Sequence, residues 1–247
     1  MIDKSNNSEE YNILKEGIQL RLQKVKSDIS DALAQCGRKE DSLTLVGVSK
    51  FFPAEYARAA FELGLSDLGE NRVQELLSKE EELGKAGIHP DWHMIGTLQT
   101  NKVRLLIGRI KLIHSVSSEE LLMEIQKRSQ AKNITTSILL QVNASAEESK
   151  HGFDAREMDR IVEIAGQCSH ISLSGLMTMA AVQTAEHEAL PVFQKTNELF
   201  AYLKNQVREP AQWNVLSMGM SQDYIDAIQC GATHIRLGTA IFGQRIY

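Results

Sequence analysis

Eight short apolar runs, each followed by a helical pattern, predict an α/β chain folded as a (β/α)8 TIM-type barrel with an additional long amino-terminal helix. The eight units occupy about 200 residues, a spacing that suits a barrel. The first strand candidate ends in Ser49-Lys50-Phe51-Phe52-Pro53, without the glycine-rich turn that opens a doubly wound dinucleotide-binding sheet. With 247 residues and no linker or low-complexity stretch, one domain spanning 1–247 is expected, residues 1–37 forming a helix packed on the barrel.

Residues 9–35 place Tyr11, Leu14, Ile18, Leu22, Val25, Ile29 and Leu33 at steps of three and four, one stripe of an amphipathic helix. Residues 43–50 form a β-branched apolar run, as in a strand covered on both faces. The alternation then gives helix 54–63, strand 65–70, helix 72–85, strand 92–96, a short helix near 100–108 and strand 110–116. Helix 118–131 follows, with a capping box in Ser117 and Glu120. Strand 136–143, helix 154–166, strand 171–179, helix 186–207, strand 214–218, helix 221–229, strand 234–238 and a last turn at 239–243 complete the series.

Bulk composition narrows the function classes. A net charge of -5 argues against general affinity for nucleic acid or for anionic membrane. No stretch approaches the roughly 18 apolar residues of a spanning helix. The opening MIDKSNNSEE is polar, without an export pattern, so a cytoplasmic protein is expected. Cys36, Cys168 and Cys230 are odd in number and far apart, and read as buried thiols.

Barrel chemistry sits at the carboxyl ends of the strands. Lys50 ends the first strand, where a desolvated amine can attack a carbonyl and form a Schiff base. Position alone also suits a solvated lysine just past a strand end. Ser217-Met218-Gly219-Met220-Ser221 and Arg236-Leu237-Gly238-Thr239-Ala240 follow strands seven and eight, the usual pair of phosphate-binding positions in barrels. The amino-terminus of helix 221–229 would add donors there. Each segment by itself is also an ordinary turn. Arg236, inside the last strand, is either paired with Glu70 or aimed at a ligand. Asn71 is placed to cap the helix that starts at Arg72, and His93 suits a satisfied core histidine. His151-Gly152-Phe153, after Lys150, reads as a turn following strand five. No metal-ligand spacing is present, and the basic segment from Lys102 to Lys111 reads as a solvated helix face.

Several runs resemble the pyridoxal phosphate homeostasis proteins, the YggS/PROSC family. They are VGVSKFFP (46–53), GENRVQE (69–75), WHMIGTLQTNK (92–102), ESKHGF (148–153), GLMTM (175–179), LSMGMSQDYIDAIQCGAT (216–233) and IRLGTAIFG (235–243). The resemblance spans essentially the whole chain, and WHxIGxLQxNK and SMGMSxD…RxGTxIFG are its most specific parts. Ala180-Ala181 departs from it, since a proline or bulkier residue is expected there.

The resemblance implies a barrel like the amino-terminal part of alanine racemase. It implies pyridoxal 5'-phosphate (PLP) held as an aldimine on Lys50, with the phosphate on 217–221 and 238–239 and Arg236 facing the pyridine nitrogen. The implied cofactor-binding residues are Lys50, Asn71, His93, Met177, Ser217, Met218, Gly219, Ser221, Arg236, Gly238 and Thr239. It further implies intracellular cofactor homeostasis without turnover, with PLP-dependent apoenzymes as recipients and a monomer as the working form. An unprotonated ring bonded to a donor-only arginine is a poor electron sink, which agrees with a carrier. All 247 residues go to the barrel and first helix, leaving none for the second-base domain of related racemases. The competing expectation is a one-domain amino-acid racemase or Schiff-base lyase acting through Lys50.

Overall fold

The computed structural model describes residues 4–144, 152–180 and 187–244. Lys150, His151 and Ala181 lie outside the described residues; Ala180 is buried.

The strands are β1 (Thr44–Val48), β2 (Asp67–Glu70), β3 (Asp91–Met94), β4 (Leu112–Val116), β5 (Thr136–Asn143), β6 (Phe153–Asp154), β7 (Ile171–Met177), β8 (Val215–Ser217) and β9 (His234–Leu237). Their order is β4-β3-β2-β1-β9-β8-β7-β5, and a further β4–β5 pairing closes the ring. Every pairing is parallel, so the chain is a closed eight-stranded barrel, with two-residue β6 added beside the end of β5. First and last strands meet directly, Val46 opposite Arg236 and Gly47 opposite Leu237. Closure leaves no free edge among the eight.

The helices are α1 (Lys4–Gln35), α2 (Ala54–Glu62), α3 (Val73–Lys85), α4 (Val103–Leu106), α5 (Glu119–Ala131), α6 (Met158–Gly166), α7 (Leu190–Leu203), α8 (Tyr224–Gln229) and α9 (Thr239–Phe242). The main apolar core lies between barrel and helices, and a small separate cluster of Leu112, Leu139, Met177 and Val215 fills part of the barrel interior. The apolar stripe of α1 buries Ile18, Leu22, Val25 and Leu33 against α2, α8 and α9. Full burial of such side chains stabilises by about 1.5–3 kcal/mol each. Arg21 Nε donates to the Ile241 carbonyl at 2.7 Å. Arg38 donates to the carbonyls of Ile228 and Ala232 at 2.9 and 2.7 Å, tying the end of α1 to the end of α8 and the turn after it.

Several boundaries correct the sequence expectations. Ser118, one residue later than expected, caps α5 by accepting from the Leu121 amide at 3.2 Å, so Ser117 and Glu120 form no capping box. Arg72 holds the N-cap position of α3, so Asn71 precedes the cap. Helix α7 is shorter than 186–207: Pro191 sits in its first turn, where a missing amide costs nothing, and the chain turns after Leu203. Helix α8 begins at Tyr224, which removes Ser221 from it. The thiols are not uniformly buried either, because Cys36 is exposed and Cys168 half-buried.

Candidate functional site

At the carboxyl end of β1 the backbone is clamped from outside the barrel. The Ser49 hydroxyl donates to Glu70 Oε1 at 2.6 Å, and Lys79 Nζ donates to the Ser49 carbonyl at 2.7 Å and to Glu70 Oε1 at 2.5 Å. The Phe51 amide donates to Glu75 Oε1 at 2.5 Å. Phe51 has φ +68, a left-handed conformation that an aromatic side chain adopts only when held there. Between these two fixed residues stands half-buried Lys50.

Glu70 and Lys79 are almost fully buried, so each depends on the other for its charge. Burial pushes the Glu70 carboxyl up, against the pull of Lys79. The expected Glu70–Arg236 pair is therefore corrected: Glu70 points away from the barrel interior and belongs to Lys79. Sequence reading missed Lys79 and Glu75 in this role; their i, i+4 spacing on α3 was the available signal.

Arg236 lies inside the barrel, 4% exposed, and is held by neutral groups. Its Nη1 donates to Ser217 Oγ at 2.6 Å and its Nη2 to the Thr178 carbonyl at 3.0 Å. Burial brings its pKa down to about 10, with Asp223 opposing, so the guanidinium stays charged at neutral pH. Behind Ser217 lie His114 at 2.8 Å, then His93 at 2.8 Å from His114, then Asp67 at 2.9 Å from His93. Lys111 joins Asp67 at 2.6 Å. Burial, followed by the charges of His93, Arg236 and His234, holds His114 well below the ordinary histidine range. Burial and then His93 bring His234 down to about 4. At Asp67 burial pushes up, yet hydrogen bonds from His93 and Lys111 prevail and leave it at about 2. Nothing in the sequence had singled out His114, His234 or Asp67, and Lys111, expected at the end of a solvated helix face, instead lies beyond α4 and pairs with Asp67.

The loops after β8 and β9 converge on one oxygen. The amides of Gly238 and Ala240 both donate to Ser221 Oγ, at 3.2 and 3.3 Å. Thr239 opens α9 beside them. Gly219 has φ +93, and a Cβ there would lie 2.6 Å from Ala227 Cβ, so only glycine fits this turn. The Met220 amide, in the same turn, is taken by Asp223 Oδ1 at 2.5 Å.

The remaining predicted residues divide by face. Met177 is buried in the interior cluster, whereas the Met218 side chain packs in the outer core. Asn71 is half-buried, its backbone so close to Gly96 that a Cβ on Gly96 would meet the Asn71 carbonyl oxygen at 2.5 Å. Lys50, Gly238 and Thr239 all follow the carboxyl ends of adjacent strands, and Arg236 lies one layer deeper.

A family profile described as "Alanine racemase, N-terminal domain" matches residues 44–246. The chain is 39% identical to a pyridoxal phosphate homeostasis protein of Aquifex aeolicus, over 92% of this chain and 98% of that one. It is 35% identical to the protein of the same name from Escherichia coli, over 92% of this chain and 96% of that one. It belongs to the pyridoxal phosphate homeostasis protein family. Among solved structures, PipY of Synechococcus elongatus with PLP bound matches with TM-score 0.74 and 32% identity, covering 87% of this chain and all of that one. An alanine racemase of Clostridium difficile at 15% identity, TM-score 0.73, shares the barrel; the match covers 94% of this chain and 60% of that one. This chain thus has a barrel like that of alanine racemase.

Proposed function

We propose that this chain binds pyridoxal 5'-phosphate at the carboxyl ends of its strands and serves intracellular PLP homeostasis without catalytic turnover. The observation that carries the reading is the β1–β9 seam, which brings Lys50, Arg236 and the Gly238 loop to one end of the barrel. Its relative PipY has been solved with PLP bound.

The donor set fits such a group. Two backbone amides already converge on a single oxygen, Ser221 Oγ, as a phosphate oxygen would require. A cationic side chain lies inside the barrel, and an amine stands at its mouth. The cofactor, when bound, supplies an aldehyde and an electron-withdrawing ring. Lys50 is the residue proposed to hold it: its amine attacks the aldehyde carbon, water leaves, and a C=N bond remains as the aldimine. Gly219, Ser221, Gly238 and Thr239 hold the phosphate, with Ser217 and the Met218 backbone completing that turn. Asn71 and Met177 line the ring, and His93 supports it from below. Arg236 faces the ring nitrogen. Because a guanidinium only donates, it holds that nitrogen unprotonated and withholds the proton that carbanion chemistry would use.

On this reading the chain works as a cytoplasmic monomer and passes the cofactor to PLP-dependent apoenzymes. Borohydride reduction of the loaded protein, followed by peptide mass spectrometry, should fix the cofactor to Lys50 alone, and Lys50→Ala should purify colourless. Labelling at another lysine would remove Lys50 from its role. Racemisation or elimination of an amino acid near roughly 10 per second, lost with Lys50→Ala, would make the chain an enzyme instead.

A further inference from the structure

A single line of hydrogen bonds crosses the barrel from the Arg236 end to the opposite mouth. It runs Arg236 Nη1 to Ser217 Oγ, Ser217 Oγ to His114 Nδ1, His114 Nε2 to His93 Nδ1, and His93 Nε2 to Asp67 Oδ1. Lys111 meets the same Asp67 oxygen and reaches Asp91 at 2.7 Å. Ser217, His114 and His93 are fully buried, while the Lys111 side chain is 46% exposed. Asp67 opens β2, Asp91 opens β3 and Lys111 precedes β4, so the line ends in solvent at the amino-terminal face.

The chemistry of the two ends sets the direction of every proton between them. A guanidinium only donates, so Ser217 Oγ accepts from Arg236. Among the described residues the other partner of that hydroxyl is His114 Nδ1, to which its one proton goes. His114 then carries its proton on Nε2 and donates to His93 Nδ1. His93 in turn carries its proton on Nε2 and donates to the Asp67 carboxylate, which only accepts. A donor-only cation at one end and an acceptor-only anion at the other demand the same order. Reversing His114 would turn two donors onto Ser217 and leave its own proton without an acceptor in a buried site.

We propose that Asp67, His93 and His114 are positioning residues that fix Arg236 through this one-way line and tie it to the Asp67–Lys111 pair on the far face. That Arg236 then addresses a ring nitrogen rests on the proposed function; the line itself does not. The other titratable or charged groups around it are His234 on β9, with ring centroids 6.3 Å from His93 and 6.2 Å from His114, Asp91 beside Lys111, and Asp223 toward Arg236. None of them interrupts the run of contacts from Arg236 to Asp67.

Nitrogen-15 NMR of the cofactor-free protein reads the tautomers directly. Both His93 and His114 are expected as the Nε2–H form, and a His114 proton on Nδ1 overturns the proposal. His114→Phe severs the line, whereas His114→Gln keeps an acceptor on one side and a donor on the other. The first should weaken cofactor binding roughly tenfold and shift the absorbance of the bound cofactor, and the second should recover most of both. A folded His114→Phe protein with unchanged affinity and spectrum, beside an altered Arg236→Ala protein, would also overturn it. Should Arg236→Ala change nothing either, the proposed function is what fails, and the tautomers still decide the line. If His114→Phe does not fold, the wild-type tautomers alone decide it.

Discussion

Replacing Lys79 by methionine tests the clamp beneath Lys50. The substitution keeps an unbranched side chain, one atom shorter, and removes the charge and its donors. Glu70 would then keep a buried carboxylate whose Oε1 has lost its 2.5 Å partner. Its Oε2 is buried without a hydrogen-bond partner among the described residues. Breaking a buried pair from one side costs about 3–5 kcal/mol, because the remaining charge is left uncompensated. In a chain of this size each kcal/mol moves the melting midpoint by about 2–4 °C, so Lys79→Met should melt roughly 6–20 °C lower at neutral pH. The pH dependence has a definite sign. Burial raises the folded-state pKa of Glu70 above its ordinary 4.5, so the folded state binds the extra proton and stability falls as pH rises through that interval. Without Lys79 the upward displacement grows, and the deficit should be smaller at about pH 5 than at about pH 8. The double variant Glu70→Gln/Lys79→Met, which leaves no charge behind and keeps an acceptor for Ser49, should regain most of the loss. Thermal and urea melts of the three proteins measure this. A single variant within about 1 kcal/mol of wild type, or a deficit independent of pH, would refute the clamp's dependence on a buried charge pair.

Three other outcomes follow from particular contacts. Pyridoxal lacking its phosphate should bind far more weakly than PLP, and Ser221→Ala should weaken PLP binding roughly tenfold by titration, since a hydrogen bond to a charged group is typically worth about 1.5–3 kcal/mol; equal affinities would mean the anion site lies elsewhere. Gly175→Ala should cost roughly 2 kcal/mol or more in urea unfolding, because φ is +149 and a Cβ would fall 1.8 Å from the Val215 carbonyl oxygen across the β7–β8 pairing; a change inside about 0.5 kcal/mol would contradict it. Asp67, at about 2 against an ordinary 3.8, contributes stability that is present above the unfolded value and lost as pH falls through the folded one. Asp67→Asn should therefore cost about 1–2 kcal/mol at neutral pH, after discounting for partial exposure, and almost nothing near pH 2; a gap constant with pH would exclude this origin.

The architecture was readable because its local signals agree. Strands such as Val46–Val48 and Ile138–Leu140 are buried throughout and read as unbroken apolar runs, while the helices between them show a single stripe. Element ends were less legible, since Val207 prolongs the apolar rhythm of α7 into a turn, and Ser117 and Ser118 offer the same hydroxyl one residue apart. Facing was the harder matter. Glu70 looked available to Arg236, but the pleat sends it outward to Lys79, and Arg236 finds a hydroxyl and a carbonyl in place of a carboxylate. His114, Asp67 and Lys111 became visible only once barrel closure laid β2, β3, β4 and β8 around one interior. No spacing along the chain encodes that stagger.

The β1–β9 seam also says when, in the life of the chain, a ligand pocket first exists. Lys50 is made long before Arg236, and their strands become neighbours only after β9 has joined β1 and β8. During synthesis, at about 5–20 residues per second, a growing chain therefore exposes the lysine well before the arginine and the Gly238 loop exist to complete the pocket. Any small molecule that needs both residues gives nothing to a chain that lacks β9 and stabilises only the ring-closed one, by mass action on the folded state. On the proposed binding, ligand supply becomes a selective preservative of ring-closed protein.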